Sequence, residues 1–146
     1  MTEVSLIVGF SVDGLIVTGR PDVCKSLREH LEKSFPTKNL GALSYHLGCE
    51  YKRDCEKKTL SVSQTACIDR LAQRFAVATM SPTPAAPAVV LSPRQEEEES
   101  CKQPYRELVG GLLWITNATR PDIANAVREV ARHAHNPSPR HWKAVL

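Results

Sequence analysis

A chain of 146 residues is long enough for one domain with an ordinary core, and 42% apolar with 24% charged residues excludes wholesale disorder. A net charge of +3 is too small to identify a nucleic-acid binder by itself. No apolar run approaches the ~18 residues of a membrane span, and Met1, Thr2 and Glu3 lack the basic start of a secretion signal.

Val4, Leu6, Val8, Phe10 and Val12 alternate with Ser5, Ile7, Gly9 and Ser11, the period of a strand. Asp13-Gly14 is a strong signal for a two-residue type I′ turn, since both central positions need positive φ, and Leu15 to Thr18 then form the returning strand. Pro21 suits the first turn of a helix over 21–34, with Val23/Cys24, Leu27, Leu31 and Phe35 at helical spacing and Glu29 placed to meet Lys33. Gly41 and Gly48 bracket L-S-Y-H-L-G-C-E-Y, and T-L-S-V-S reads as its antiparallel partner in a second hairpin.

Residues 64–77 carry Cys67, Ile68, Leu71, Ala72 and Phe75 on one face of a short helix with Ser63 as its expected N-cap. Between Ser81 and Ser100 lie four prolines and the block Glu96 to Glu99, the composition of a linker without a core of its own. Pro104 opens a helix striped by Tyr105, Leu108/Val109, Leu112 and Ile115. Pro121 opens another, striped by Ile123, Val127, Val130 and Ala134, that Asn136-Pro137 stops. P-R-H-W-K-A-V-L forms the first turns of a third helix.

Cys24, Cys49, Cys55, Cys67 and Cys101 form an odd set without a C-x-x-C pair, so neither a disulfide framework nor a zinc ribbon is indicated and no disulfide partner is expected. Free thiols fit a reducing compartment, which makes an intracellular protein, cytoplasmic or nuclear, the expectation. His46, Cys49 and Cys55 match no zinc spacing, and His133 and His135 fall on different helix faces. Residues 101–146 hold seven Lys/Arg against three Asp/Glu, a locally basic segment.

These elements make an α+β chain. Their motifs, in order, resemble the reverse transcriptase (RNA-directed DNA polymerase) of copia-type LTR retrotransposons over nearly the whole length. S-V-D-G-L-I-V-T-G at 11–19 stands in the frame of that family's Tyr-Val-Asp-Asp hairpin, with Ser11 for the Tyr and Gly14 for the second Asp. F-P-T-K-N-L-G-A-L-S-Y-H-L-G-C-E at 35–50 and L-S-V-S-Q-T-A-C-I-D-R-L at 60–71 follow. Y-R-E-L-V-G-G-L-L-W-I, T-R-P-D-I-A-N-A-V and P-S-P-R-H-W complete the series over 105–142.

The resemblance implies a partial polymerase palm built of β-hairpins and a thumb-like region over 1–80, a Pro-rich acidic linker over 81–100, and connection-like helices over 101–146 that end before a ribonuclease H domain. Such polymerases hold two Mg²⁺ ions on three aspartates. Asp13 matches the first of the hairpin pair and is the one metal ligand and catalytic residue carried over. Its partner position is Gly14, and the upstream palm strand lies before the start of the chain.

One carboxylate cannot hold two divalent ions, so no polymerase activity is expected of the chain alone. As an isolated residue Asp13 is also simply a turn aspartate. Gly41, Leu47 and Gly48 stand where the family grips the primer backbone, or form a plain β-turn pair. Arg106 and Arg120 reach phosphate or serve the neighbouring helices, and Asp122 suits a helix N-terminus without further function. The implied partner is an RNA/DNA template–primer. Two alternatives stand beside an inactive fragment: a retained or domesticated nucleic-acid-binding module, and a half-enzyme whose missing palm half is supplied in trans.

Overall fold

A computed structural model describes residues 5–12, 14–85 and 91–146. Val4, Asp13 and linker residues 86–90, all assigned roles above, lie outside the described residues. The chain is α+β and divides into two compact units, Met1–Ser44 and Tyr45–Leu146. The boundary therefore falls inside the region read as one palm and thumb-like domain.

In the first unit, β1 (Leu6–Ser11) pairs antiparallel with β2 (Gly14–Gly19), and α1 (Pro21–Ser34) returns against β2. The register sets Val8 opposite Val17, Phe10 opposite Leu15 and Ser11 opposite Gly14. Gly14 is thus the first residue of the returning strand and not a central residue of the turn. A one-residue slip in this register would send Leu6, Val8 and Phe10 to the other face of the ribbon.

α1 has the expected bounds, with Pro21 at its first position, Asp22 in the first turn and Lys33 in the last. Glu29 faces Lys25 at 3.9 Å instead of Lys33. No described residue of this unit is buried, and Phe10 is 81% exposed. A two-stranded sheet is marginal in water without further packing, and among the described residues the buried core lies wholly in the other unit.

The second unit opens with a three-stranded meander, β3 (Tyr45–His46), β4 (Cys49–Asp54) and β5 (Thr59–Ser63), where the sequence suggested a single hairpin. The extra reversal is a two-residue turn at Leu47-Gly48 with φ of 48° and 79°. Both values suit a type I′ turn, but only Gly48 adopts its value without steric cost. The β4–β5 turn is fixed by Asp54, whose carboxylate accepts from the backbone N–H groups of Glu56 and Lys57 at 3.0 and 2.9 Å.

Four helices follow: α2 (Thr65–Arg74), α3 (Tyr105–Ala118), α4 (Ala124–Ala131) and α5 (Pro139–Val145). Gln64, not Ser63, occupies the N-cap position of α2. Pro121–Ile123 form a 3₁₀ turn before α4, which ends at Ala131, well short of Asn136. Gly111 lets α3 approach α2: a Cβ there would stand 2.7 Å from Leu71 Cδ1.

The core centres on Tyr105, Val109 and Val130, with Leu91, Cys101, Ala131, Ala134, Trp142 and Val145 packed around it. Phe75 meets Trp142 edge to face at 5.9 Å, closing α2 onto α5. Residues 91–100 have no regular structure, as their composition suggested, yet they are docked on the helices through Leu91, Arg94 and Glu98. All five cysteines are free thiols, and among the described residues no helix is long and apolar enough to cross a membrane.

Candidate functional site

The β1–β2 tip is the candidate for polymerase chemistry. Asp13 itself lies outside the described residues, but its flanks are described. The register places Ser11 and Gly14 directly across from one another, and Ser11 Oγ donates to the Gly14 carbonyl at 3.3 Å. The two departures from the Tyr-x-Asp-Asp pattern are therefore one cross-strand pair. A Cβ at Gly14 would sit 3.2 Å from Ser11 Oγ, so the small residues fit each other.

A two-Mg²⁺ site needs several oxygen ligands converging within a few ångströms. Gly14 offers no side-chain oxygen, and the Ser11 hydroxyl is directed at a backbone carbonyl. Among the described residues no group of three or more His, Cys, Asp or Glu side chains is placed to hold a metal ion. The described residues do not by themselves fit a two-ion centre.

The residues that the resemblance assigns to a primer grip belong to different units. Gly41 lies in the first unit, where its N–H donates to Asn39 Oδ1 at 2.9 Å, while Leu47 and Gly48 form the β3–β4 turn of the second. Beside that turn stands Trp114 of α3, whose indole nitrogen would be 3.6 Å from a Cβ at Gly48. Gln64 lies beneath it, 2% exposed. Oriented to satisfy its neighbours, its amide accepts from Trp114 Nε1 at 3.1 Å and donates to the Ile115 carbonyl at 3.2 Å and the Thr119 hydroxyl at 2.7 Å. Gln64 was not singled out from the sequence, although it stands within L-S-V-S-Q-T, one of the segments that carries the resemblance.

Arg106 spends its guanidinium on main chain, donating to the Ala134 and His135 carbonyls at 2.8 and 3.1 Å beyond the end of α4. Arg120 makes a forked pair with Asp122, at 2.8 Å for the shortest contact. The hydrogen bond from Arg120 holds the Asp122 carboxyl below the usual range and, reciprocally, raises the guanidinium. Arg20-Pro21-Asp22 repeats this arrangement at the start of α1, again at 2.8 Å. Both forks bracket a proline at the first helical position, so R-P-D acts as a local device for starting a helix.

In an alignment of 143 positions that covers 92% of the chain, it is 35% identical to the Retrovirus-related Pol polyprotein from transposon TNT 1-94 of Nicotiana tabacum. That similarity supports an origin in a retrotransposon polyprotein. The chain spans 11% of that protein. A shorter stretch of 42 residues, 29% of the chain, is 40% identical to the Secreted RxLR effector protein 161 of Plasmopara viticola, covering 30% of that protein. No protein-family model matches the chain, and no solved structure matches it.

Proposed function

We propose that the chain is a degenerate segment of a copia-type reverse transcriptase that keeps the backbone of the polymerase hairpin and has lost its metal pair. The observation that carries this reading is the Ser11–Gly14 cross-strand pair, which preserves the turn with no second carboxylate beside Asp13. Nucleotide addition of this kind depends on two cations that activate the primer hydroxyl and stabilise the leaving pyrophosphate. Losing about 5 kcal/mol of transition-state stabilisation already slows such a step by roughly 10³–10⁴-fold. Template–primer is the partner class of the lineage, and in this chain Arg106 and Arg120 serve helix ends.

Primer extension on an RNA template with a DNA primer tests this, in Mg²⁺ and again in Mn²⁺. The expected result is no nucleotide incorporation above a protein-free control. Incorporation by the chain in either metal overturns the proposal.

A further inference from the structure

The start of α5 holds an arrangement that the polymerase reading leaves unused. His141 is completely buried. Its Nδ1 lies 2.9 Å from the Ser138 backbone N–H, which can only donate, and its Nε2 lies 3.0 Å from the Ser92 carbonyl, which can only accept. These partners define one species, the neutral ring with its proton on Nε2. The Ser138 hydroxyl also lies 2.9 Å from Nδ1, and a second proton there would displace the Ser138 N–H and break one of the two bonds of the capping box that starts α5.

His133, in the turn after α4, stacks on this ring with centroids 4.2 Å apart and planes 24° from parallel. It is buried too, and its Nε2 has no hydrogen-bond partner. Burial holds its pKa below the usual histidine value, and His141, Arg132 and Arg140 act the same way, against a hydrogen bond to the Leu91 backbone. The charged groups around the pair are Arg132 beside α4, Arg140 on α5, and Glu98 and Arg94 on the overlying segment. Glu98 is engaged by Arg140 at 3.0 Å, and Arg94 donates to Asn136 at 2.9 Å.

Residues 91–100 rest on the two rings as a strap. The Ser92 carbonyl accepts from His141 Nε2 and from Arg140 at 3.1 Å, and the Pro93 carbonyl accepts from Arg140 at 2.8 Å. We propose that His133 and His141 form a pH-sensitive latch that holds this strap against the C-terminal helices and releases it on mild acidification.

The sign follows from proton binding. The closed state, by burying His133, keeps its ring neutral, while a released strap lets it protonate near about pH 6.5. The closed strap is therefore fully stable above that pH and loses stability as pH falls through it, by up to about tenfold in opening equilibrium per pH unit for each proton taken up.

Hydrogen exchange of the whole chain, followed by mass spectrometry at pH 7.5, 6.5 and 5.5 and corrected for intrinsic exchange chemistry, tests the latch. Between pH 7.5 and 5.5 the opening of residues 91–101 is expected to rise at least about tenfold, with no matching rise in 49–63. His141→Gln retains a side chain suited to the third position of a capping box, and His133→Phe retains a stacking ring. The double variant carrying both is expected to lose the pH response. A strap whose opening is unchanged over this range, or a double variant that responds like the wild type, overturns the latch. A readout independent of any variant is the wild-type imidazole ¹⁵N spectrum at pH 6, in which His133 is expected to be neutral and a charged His133 would be equally fatal.

Discussion

Replacing Tyr105 by alanine is expected to lower the stability of the second unit by about 3–5 kcal/mol, the range for removing a large aromatic from a core. Tyr105 is 2% exposed, sits with Val109 and Val130 at the centre of the core, and has Trp142 and Val145 among its neighbours. Its hydroxyl donates to the Val130 carbonyl at 2.7 Å, tying α3 to α4. Tyr105→Phe keeps the ring and removes that bond, so its expected cost is smaller, about 1–2 kcal/mol. Urea unfolding followed by tryptophan fluorescence measures both. An alanine variant within about 1 kcal/mol of wild type would mean that the core is not centred on this ring.

The same burial gives a pH signature. Desolvation, aided by Cys101, pushes the Tyr105 phenol up to about 12. The folded state thus holds its proton when the unfolded chain ionises near about pH 10. This contribution is complete below pH 10 and is lost as pH rises from there towards 12, and it should be missing from Tyr105→Phe.

Gln64→Leu is expected to destabilise the second unit by about 2–3 kcal/mol, although leucine fills nearly the same volume. The deficit is polar. The change strands Trp114 Nε1 and the Thr119 hydroxyl, both now served by the Gln64 amide. The Ile115 carbonyl suffers less, because it also accepts from the Thr119 and Arg120 N–H groups at 3.0 and 3.1 Å. Urea midpoints give the magnitude, and a shift in Trp114 emission would show that the indole has lost its acceptor. A neutral Gln64→Leu would mean that the amide does not join β5, α2 and α3 as described.

What the sequence disclosed was mostly local. Pro21 and the apolar spacing behind it marked α1 to its observed ends, and of the stripe Tyr105, Leu108/Val109, Leu112 and Ile115 all but the half-buried Leu112 are buried in α3. Asp13-Gly14 correctly signalled a hairpin, but turn propensity placed the reversal one residue late because cross-strand pairing of Phe10 with Leu15 outweighs it. Leu47 and Gly48 do form the plain turn offered for them as an alternative, but the stretch around them reads as a single strand because leucine disfavours the positive φ that the turn imposes on it.

Contacts between distant positions left no periodic trace. Residues 91–100 have the composition of a linker, yet Arg140 grips Ser92 and Glu98, 48 and 42 residues away. His133 and His141 look unrelated along the chain because Pro137 and Pro139 interrupt the helices between them, and packing is what stacks their rings. In the candidate site, motif order exposed the substitutions at positions 11 and 14, while only the register showed that they face each other.

The proposed loss of the metal pair is tested most directly by Mn²⁺-induced relaxation of backbone amides at the β1–β2 tip, compared between the wild type and Gly14→Asp. Below about 1 mM Mn²⁺, the weak end of protein divalent-cation sites, the wild-type amides of Ser11, Val12 and Leu15 are expected to show no selective broadening. Gly14→Asp, which sets a second carboxylate beside Asp13, is expected to broaden them. Selective broadening of these three amides in the wild type would contradict the loss of the metal site.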